Sequence, residues 1–120
     1  MILPVTAAAL ATLPADGGVR AGPLALARLG EFAQLMLKWN AKVNLTAART
    51  LADLDEHIAD CVPMAVHVPA GDVLDVGAGG GFPSVICAIL RDDVRITALE
   101  PVHKKHAFLR TAARELRLAL

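Results

Sequence analysis

The 120-residue sequence is poor in aromatics, with one tryptophan, three phenylalanines and no tyrosine. A core made from it is aliphatic, and 23 alanines point to helices as its frame. Cysteine is equally scarce. Cys61 and Cys87 stand in apolar surroundings outside any Cys-x-x-Cys pair. A disulfide framework is therefore excluded, and two reduced, buried thiols in a cytoplasmic protein are expected. No uncharged stretch reaches the roughly 20 residues that span a bilayer. The longest, residues 1–15 and 76–90, are broken by proline or glycine. No lysine or arginine precedes Arg20, so the apolar start lacks the positive region of a secretory signal. It reads as a leader or a weak first helix. His57, Cys61, His103 and His106 have no chelating spacing, so no metal site is expected. There is no internal repeat.

Net charge is also missing, because 12 basic side chains balance 12 acidic ones. That argues against a protein that grips nucleic acid by bulk electrostatics. The zero is an average, however. Residues 1–49 carry net +3, residues 50–100 net −7 and residues 101–120 net +4. The basic ends would form one patch if folding brought them together.

What is present reads as helices followed by an α/β unit. Residues 14–23, rich in glycine and proline, read as a linker. The spacing of Leu29, Phe32, Leu35, Met36 and Trp39 predicts a helix over 24–40. Trp39 could stack a nucleic-acid base, but on that stripe it reads as core. Thr50 with Asp53 three residues on has the form of a capping box for a second helix. Pro63 is expected to mark its last turn or a kink. After the turn at 69–72 the pattern changes. A short apolar run over 73–76 suits a buried parallel strand. A helix over 83–90 follows, with Pro83 expected at its first position. A β-branched strand over 94–99 and a helix over 103–117 complete the order. Strand–helix–strand–helix implies a parallel sheet. The organisation expected is an N-terminal leader and helical region, 1–70, and an α/β region, 71–120.

The segment most charged with chemistry is Asp75-Val76-Gly77-Ala78-Gly79-Gly80-Gly81-Phe82-Pro83. A strand runs into a glycine loop that opens a helix, which suits the close approach of a nucleotide-like cofactor. No Lys-Ser/Thr follows the glycines, so this is not a P-loop. The dinucleotide fingerprint would need a third glycine where Phe82 stands. Glu100, 19 residues after Gly81, falls at the end of the second strand, where an acid can accept from ribose hydroxyls. The pattern Asp-x-Gly-x-Gly-x-Gly resembles the first motif of class I S-adenosylmethionine-dependent methyltransferases. The alternative is a glycine turn in a non-binding α/β domain.

More of the chain carries a narrower resemblance. Lys38-Trp39-Asn40, Asn44-Leu45-Thr46, His57-x-x-Asp60, the glycine loop through Pro83, and Lys104-Lys105-x-x-Phe108-Leu109 occur in this order. Together they resemble the 16S ribosomal RNA methyltransferase G family, also called glucose-inhibited division protein B. The resemblance implies N7 methylation of a guanosine in 16S ribosomal RNA of the small subunit, with S-adenosyl-L-methionine as cofactor. It also implies N-terminal helices before an incomplete class I, Rossmann-like fold. It puts Asp75, Gly77, Gly79, Gly81, Phe82 and Glu100 at the cofactor. His57 and Asp60 would line the pocket or pair to tie helices together. Lys104 and Lys105 would meet RNA phosphates or form a solvated helix face. No catalytic residue is needed, because guanine N7 carries a lone pair and positioning supplies the rate gain. The family loop usually continues Phe-Pro-Gly, whereas this chain has Ser84; its His-x-x-Asp-Ser-Leu is here Asp60-Cys61-Val62. The later family motifs and a third strand are absent from the 120 residues. The resemblance therefore also admits an inactive fragment, or a binding protein without catalysis.

Overall fold

The computed structural model describes residues 2–13, 19–118 and 120. Residues 14–18 of the expected linker lie outside the described residues. The elements are α1 (Pro4–Ala11), α2 (Pro23–Asn40), α3 (Leu51–His67), β1 (Gly71–Val76), α4 (Ser84–Leu90), β2 (Val94–Leu99) and α5 (His103–Glu115). Pro4 does not interrupt the N-terminal run but stands at the start of α1, where its missing amide costs nothing. Its second and third amides, on Val5 and Thr6, donate to the Asp55 carboxylate of α3 at 2.8 Å. Thr6 returns a bond to the Asp55 carbonyl. The cap of α1 thus comes from another helix and fastens the two together.

Of the expected stripe α2 buries Leu29, Phe32 and Met36, with Ala33 beside them, while Leu35 and Trp39 are half-buried. Thr50 caps α3 by accepting from the Asp53 amide at 3.1 Å. The return arm differs from a capping box. The Asp53 carboxylate accepts from the amide of Arg49, one residue before the cap. That bond is the main reason Asp53 titrates below the ordinary aspartate range. Pro63 sits inside α3, and the helix continues to His67. Its end is closed by Arg91, whose guanidinium donates to the carbonyls of Ala65, Val66 and Val68 and pairs with Asp93. A cation on the last carbonyls of a helix complements its dipole.

β1 and β2 are parallel, with Gly71 opposite Val94 and Val76 opposite Leu99. The crossover helix α4 is buried at Val85, Ile86, Cys87, Ile89 and Leu90. It begins at Ser84, so Pro83 precedes its first turn, and the Phe82–Pro83 peptide is cis. The apolar side of β2, Val94 and Ile96, is buried, whereas Leu74, Val76 and Leu99 on the other side are exposed. One hydrophobic cluster runs from Leu3 through Phe32, Ile58 and Leu90 to Phe108 and Leu116. Cys87 is buried in it; Cys61 is only half-buried, and burial pushes both thiols upward in pKa. No helix among the described residues is long and apolar enough to cross a membrane.

Candidate functional site

The glycine loop leaves β1 at its C-terminal end. Amides of Gly77 and Ala78 donate to the Leu99 carbonyl, so the loop is still paired to the end of β2 as it turns. Gly77, Gly79 and Gly81 have φ of 76°, 58° and 97°, the left-handed region that favours glycine. The glycines divide by what surrounds them. A Cβ on Gly81 would meet Val85 Cγ2 at 2.6 Å and Leu109 Cδ2 at 3.2 Å. A Cβ on Gly80 would meet Met36 Cε at 3.0 Å. These two face the core. At Gly77 and Gly79 a Cβ would meet nothing within 4 Å. Their bare backbone faces open space, which is the shape a closely approaching cofactor needs.

Glu100 closes this loop. One carboxylate oxygen accepts from the Gly79 amide at 2.7 Å, the other from the Val102 amide at 2.8 Å. The Val102 and Gly79 amides hold its carboxyl below the ordinary glutamate range, with Lys105 and His106 adding to the effect. Glu100 is therefore a latch between the loop and the start of α5, a use its spacing did not reveal. Each carboxylate oxygen can accept more than one bond, so capacity for a hydroxyl remains. Asp75 does not point at the open side. It lies half-buried on the α4 side of β1, where it accepts a hydrogen bond from the Ser84 hydroxyl and joins the strand end to the helix start. Ser84, noted in the sequence only as a departure from the family pattern, is thus part of the frame.

Phe82 stacks at a tilt on Phe32, 5.6 Å between centroids, and meets the His57 ring edge-on at 6.0 Å. The structure thus brings His57 to the loop. Asp60 is exposed on α3, and no bond between it and His57 is formed. A tie between helices through that pair is not what α3 uses; Asp55 does that work. Lys104 is exposed and Lys105 half-buried in the first turn of α5, where no acidic residue accompanies them. Cations there oppose the helix dipole by some 0.3–1 kcal/mol each.

Asn40 explains why Lys-Trp-Asn and Asn-Leu-Thr travel together. Its amide group donates to the Ala48 carbonyl, and its oxygen accepts from the amides of Leu45 and Thr46. One side chain thereby folds residues 41–49 so that Leu45 lies against Gly80. Among the described residues there is no group of three or more metal-ligating side chains.

A parallel strand–glycine loop–helix–strand unit, closed by an acid at the second strand end, defines an incomplete Rossmann-like methyltransferase fold. The family described as rRNA small subunit methyltransferase G matches residues 25–120. Curated proteins named ribosomal RNA small subunit methyltransferase G are similar over most of the chain. That of Ruegeria pomeroyi is 44% identical over 98 residues, covering 77% of this chain and 48% of the relative. That of Halorhodospira halophila is 42% identical over 95 residues, covering 78% and 46%. That of Methylobacillus flagellatus is 40% identical over 92 residues, covering 76% and 45%. The chain belongs to the rRNA small subunit methyltransferase G family. It spans about half the length of the curated relatives it matches.

Proposed function

We propose that this chain carries the S-adenosyl-L-methionine site of an enzyme that methylates guanine N7 in 16S ribosomal RNA in the cytoplasm. The observation that carries the reading is the bare, left-handed backbone at Gly77 and Gly79, latched by Glu100. When bound, the cofactor supplies an electrophilic methyl group. Gly77, Gly79 and Phe82 line the loop that would hold it. Gly81 and Asp75 keep that loop in shape, and Glu100 would share its carboxylate between the Gly79 amide and the ribose. His57, beside Phe82, would lie at the edge of the pocket. Guanine N7 needs no proton removed before attack, so orientation is the work left to the protein. Residues 71–120 would form the cofactor region, and residues 1–70 the helical region that backs it.

Calorimetric titration of the purified chain with S-adenosyl-L-methionine tests the first half of this reading. One saturable site, weakened in Gly79→Ala, is expected; absence of heat over the accessible range overturns it. Methyl transfer to small ribosomal subunits, followed by mapping of the modified base, tests the second half.

A second reading has its own observation. Leu74, Val76 and Leu99 form an exposed apolar sheet face. On that reading the chain binds but turns over only when further polypeptide covers the face. Cofactor binding without methyl transfer by the chain alone is its signature.

A further inference from the structure

All the lysines of the chain lie in two places: Lys38 and Lys42 at the end of α2, Lys104 and Lys105 in the first turn of α5. Several arginines are committed elsewhere. Arg20 pairs with Asp92, Arg28 bonds the carbonyl of Leu116 past α5, Arg49 bonds the Thr46 and Ala48 carbonyls, and Arg91 closes α3. Among the described residues none of the lysines forms an ion pair.

The end of α2 and the start of α5 lie at the same end of the helix pair. α2 and α5 pack in opposite senses: Arg28 reaches the end of α5, while Trp39 meets Phe108 edge-on at 5.6 Å. Lys104 and Lys105 stand one turn before Phe108, and Lys42 one turn after Trp39. Lys38 and Lys42 therefore stand beside Trp39, and Lys104 and Lys105 near the Phe108 it meets; Lys38 also borders a groove with Glu31 and Glu115. Trp39 is not wholly core, as its place on the apolar stripe suggested. It is half-buried, and with Lys38, Lys42 and Val43 it lines a cavity of about 360 Å³. The same elements hold the glycine loop, through Met36 and Leu45 at Gly80 and Leu109 at Gly81. Lys104 and Lys105 are on the wrong end of α5 for helix stability. Lys105 has the Glu100 carboxylate near it, which leaves Lys104 for an anionic partner.

We infer that this surface binds an unpaired stretch of RNA, with phosphates on Lys38, Lys42 and Lys104 and one base stacked on the exposed side of Trp39. The inference rests on the ribosomal RNA reading above and adds where the strand lies, alongside the glycine loop. Stacking needs a base free of its helix, whereas phosphate contacts set position without reading sequence.

Trp39 is the one tryptophan of the chain, so its fluorescence reports this site. The full chain is titrated with a short single-stranded RNA oligonucleotide at several salt concentrations. Saturable quenching is expected, with a slope of log affinity against log salt of about −2 for three lysine contacts. Lys38→Gln with Lys42→Gln should lower the slope by about 1.4 and weaken binding about tenfold or more, with circular dichroism unchanged. Arg95→Gln, on the exposed side of the sheet, should leave binding as it is. Inorganic polyphosphate should compete without quenching. No binding, binding without quenching, or an unchanged slope in the double variant overturns the inference. A parallel titration with S-adenosyl-L-methionine separates the two readings. Cofactor binding without RNA quenching removes this site alone, and quenching without cofactor binding removes the cofactor reading alone.

Discussion

Gly79 and Gly81, two residues apart in one loop, do opposite jobs, and substitution separates them. In Gly81→Ala the new methyl overlaps Val85 and Leu109 at a φ of 97°. Overpacking and left-handed strain together should cost about 2–4 kcal/mol of stability. Gly79→Ala adds a methyl where nothing lies within 4 Å, so only backbone strain of about 1–2 kcal/mol is expected. Its methyl instead enters the space assigned to the cofactor. Urea midpoints and calorimetric affinities should therefore diverge, Gly81→Ala failing on stability and Gly79→Ala on binding. Equal losses of stability would mean that Gly79 does not face open space. Glu100 gives the next test. Its carboxyl titrates below the ordinary glutamate value of 4.5, because the Val102 and Gly79 amides favour the charged form. The latch is thus complete above that value and is lost as pH falls through the lowered one. Exchange of the Gly79 amide should be slow and unaffected by opening across neutral pH, and should lose protection only in acid. In Glu100→Gln one amide loses its acceptor, since a carboxamide has a single oxygen. Protection of Gly79 or Val102 should drop at pH 7, with cofactor affinity falling about tenfold; unchanged exchange in that variant would count against the latch.

At the scale of elements, local signals were legible and long-range ones were not. The strand over 94–99 is found at its expected limits, because its β-branched run and flanking turns are local. The Thr50 cap is local too. β1 starts at Gly71, two residues before the apolar run that marks it, because the Gly71 amide bonds the Asp93 carbonyl of the neighbouring strand's turn. No spacing within β1 contains that information. Likewise α3 holds Pro63 in its interior and runs on to His67, where propensity alone argued for a last turn or a kink. The devices that join elements were invisible for the same reason. Asp55 reads as an acid in an amphipathic helix, yet it caps a helix about 50 residues earlier in the chain. Removing it leaves the Val5 and Thr6 amides without partners. Asp55→Ala should cost about 2 kcal/mol, the loss of a cap together with unsatisfied donors. The damage should be confined: proteolysis near α1 should accelerate while the glycine loop keeps its amide protection. Loss of protection throughout would show that α1 is integral to the core rather than fastened onto it. In the site, the glycines and Glu100 were legible as a motif. That Glu100 bonds Gly79, that Asp75 bonds Ser84, and that Phe82 rests on Phe32 and His57 were not, because each contact joins different elements.

For the whole molecule, composition and architecture disagree in an informative way. The radius of gyration, 13.2 Å, is close to the roughly 13.6 Å expected for a compact chain of this length. Yet among the described residues the sheet has only the pair β1 and β2, and parallel sheets are ordinarily covered on both faces. Here α4 covers one face. On the other, Leu74, Val76 and Leu99 are 59%, 74% and 49% exposed, contiguous through the pairing of Val76 with Leu99. The short apolar run that signalled a buried strand is therefore half-buried on one side, at Val73 and Asp75, and exposed on the other. This is why periodicity could announce a strand without showing what covers it. The two faces of the sheet should respond differently to the same chemistry. Leu74→Thr with Val76→Thr removes apolar surface that is already in water, so the folding free energy should change by less than about 0.5 kcal/mol. Ile96→Thr places a hydroxyl in the buried face and should cost about 2–3 kcal/mol. Self-association should follow the opposite order, since exposed apolar patches drive it. Sedimentation velocity should show the double variant less associated than the parent chain at equal concentration. If instead Leu74→Thr with Val76→Thr destabilised the chain as much as Ile96→Thr, the outer face would already be packed against protein, and the need for further polypeptide to cover it would disappear.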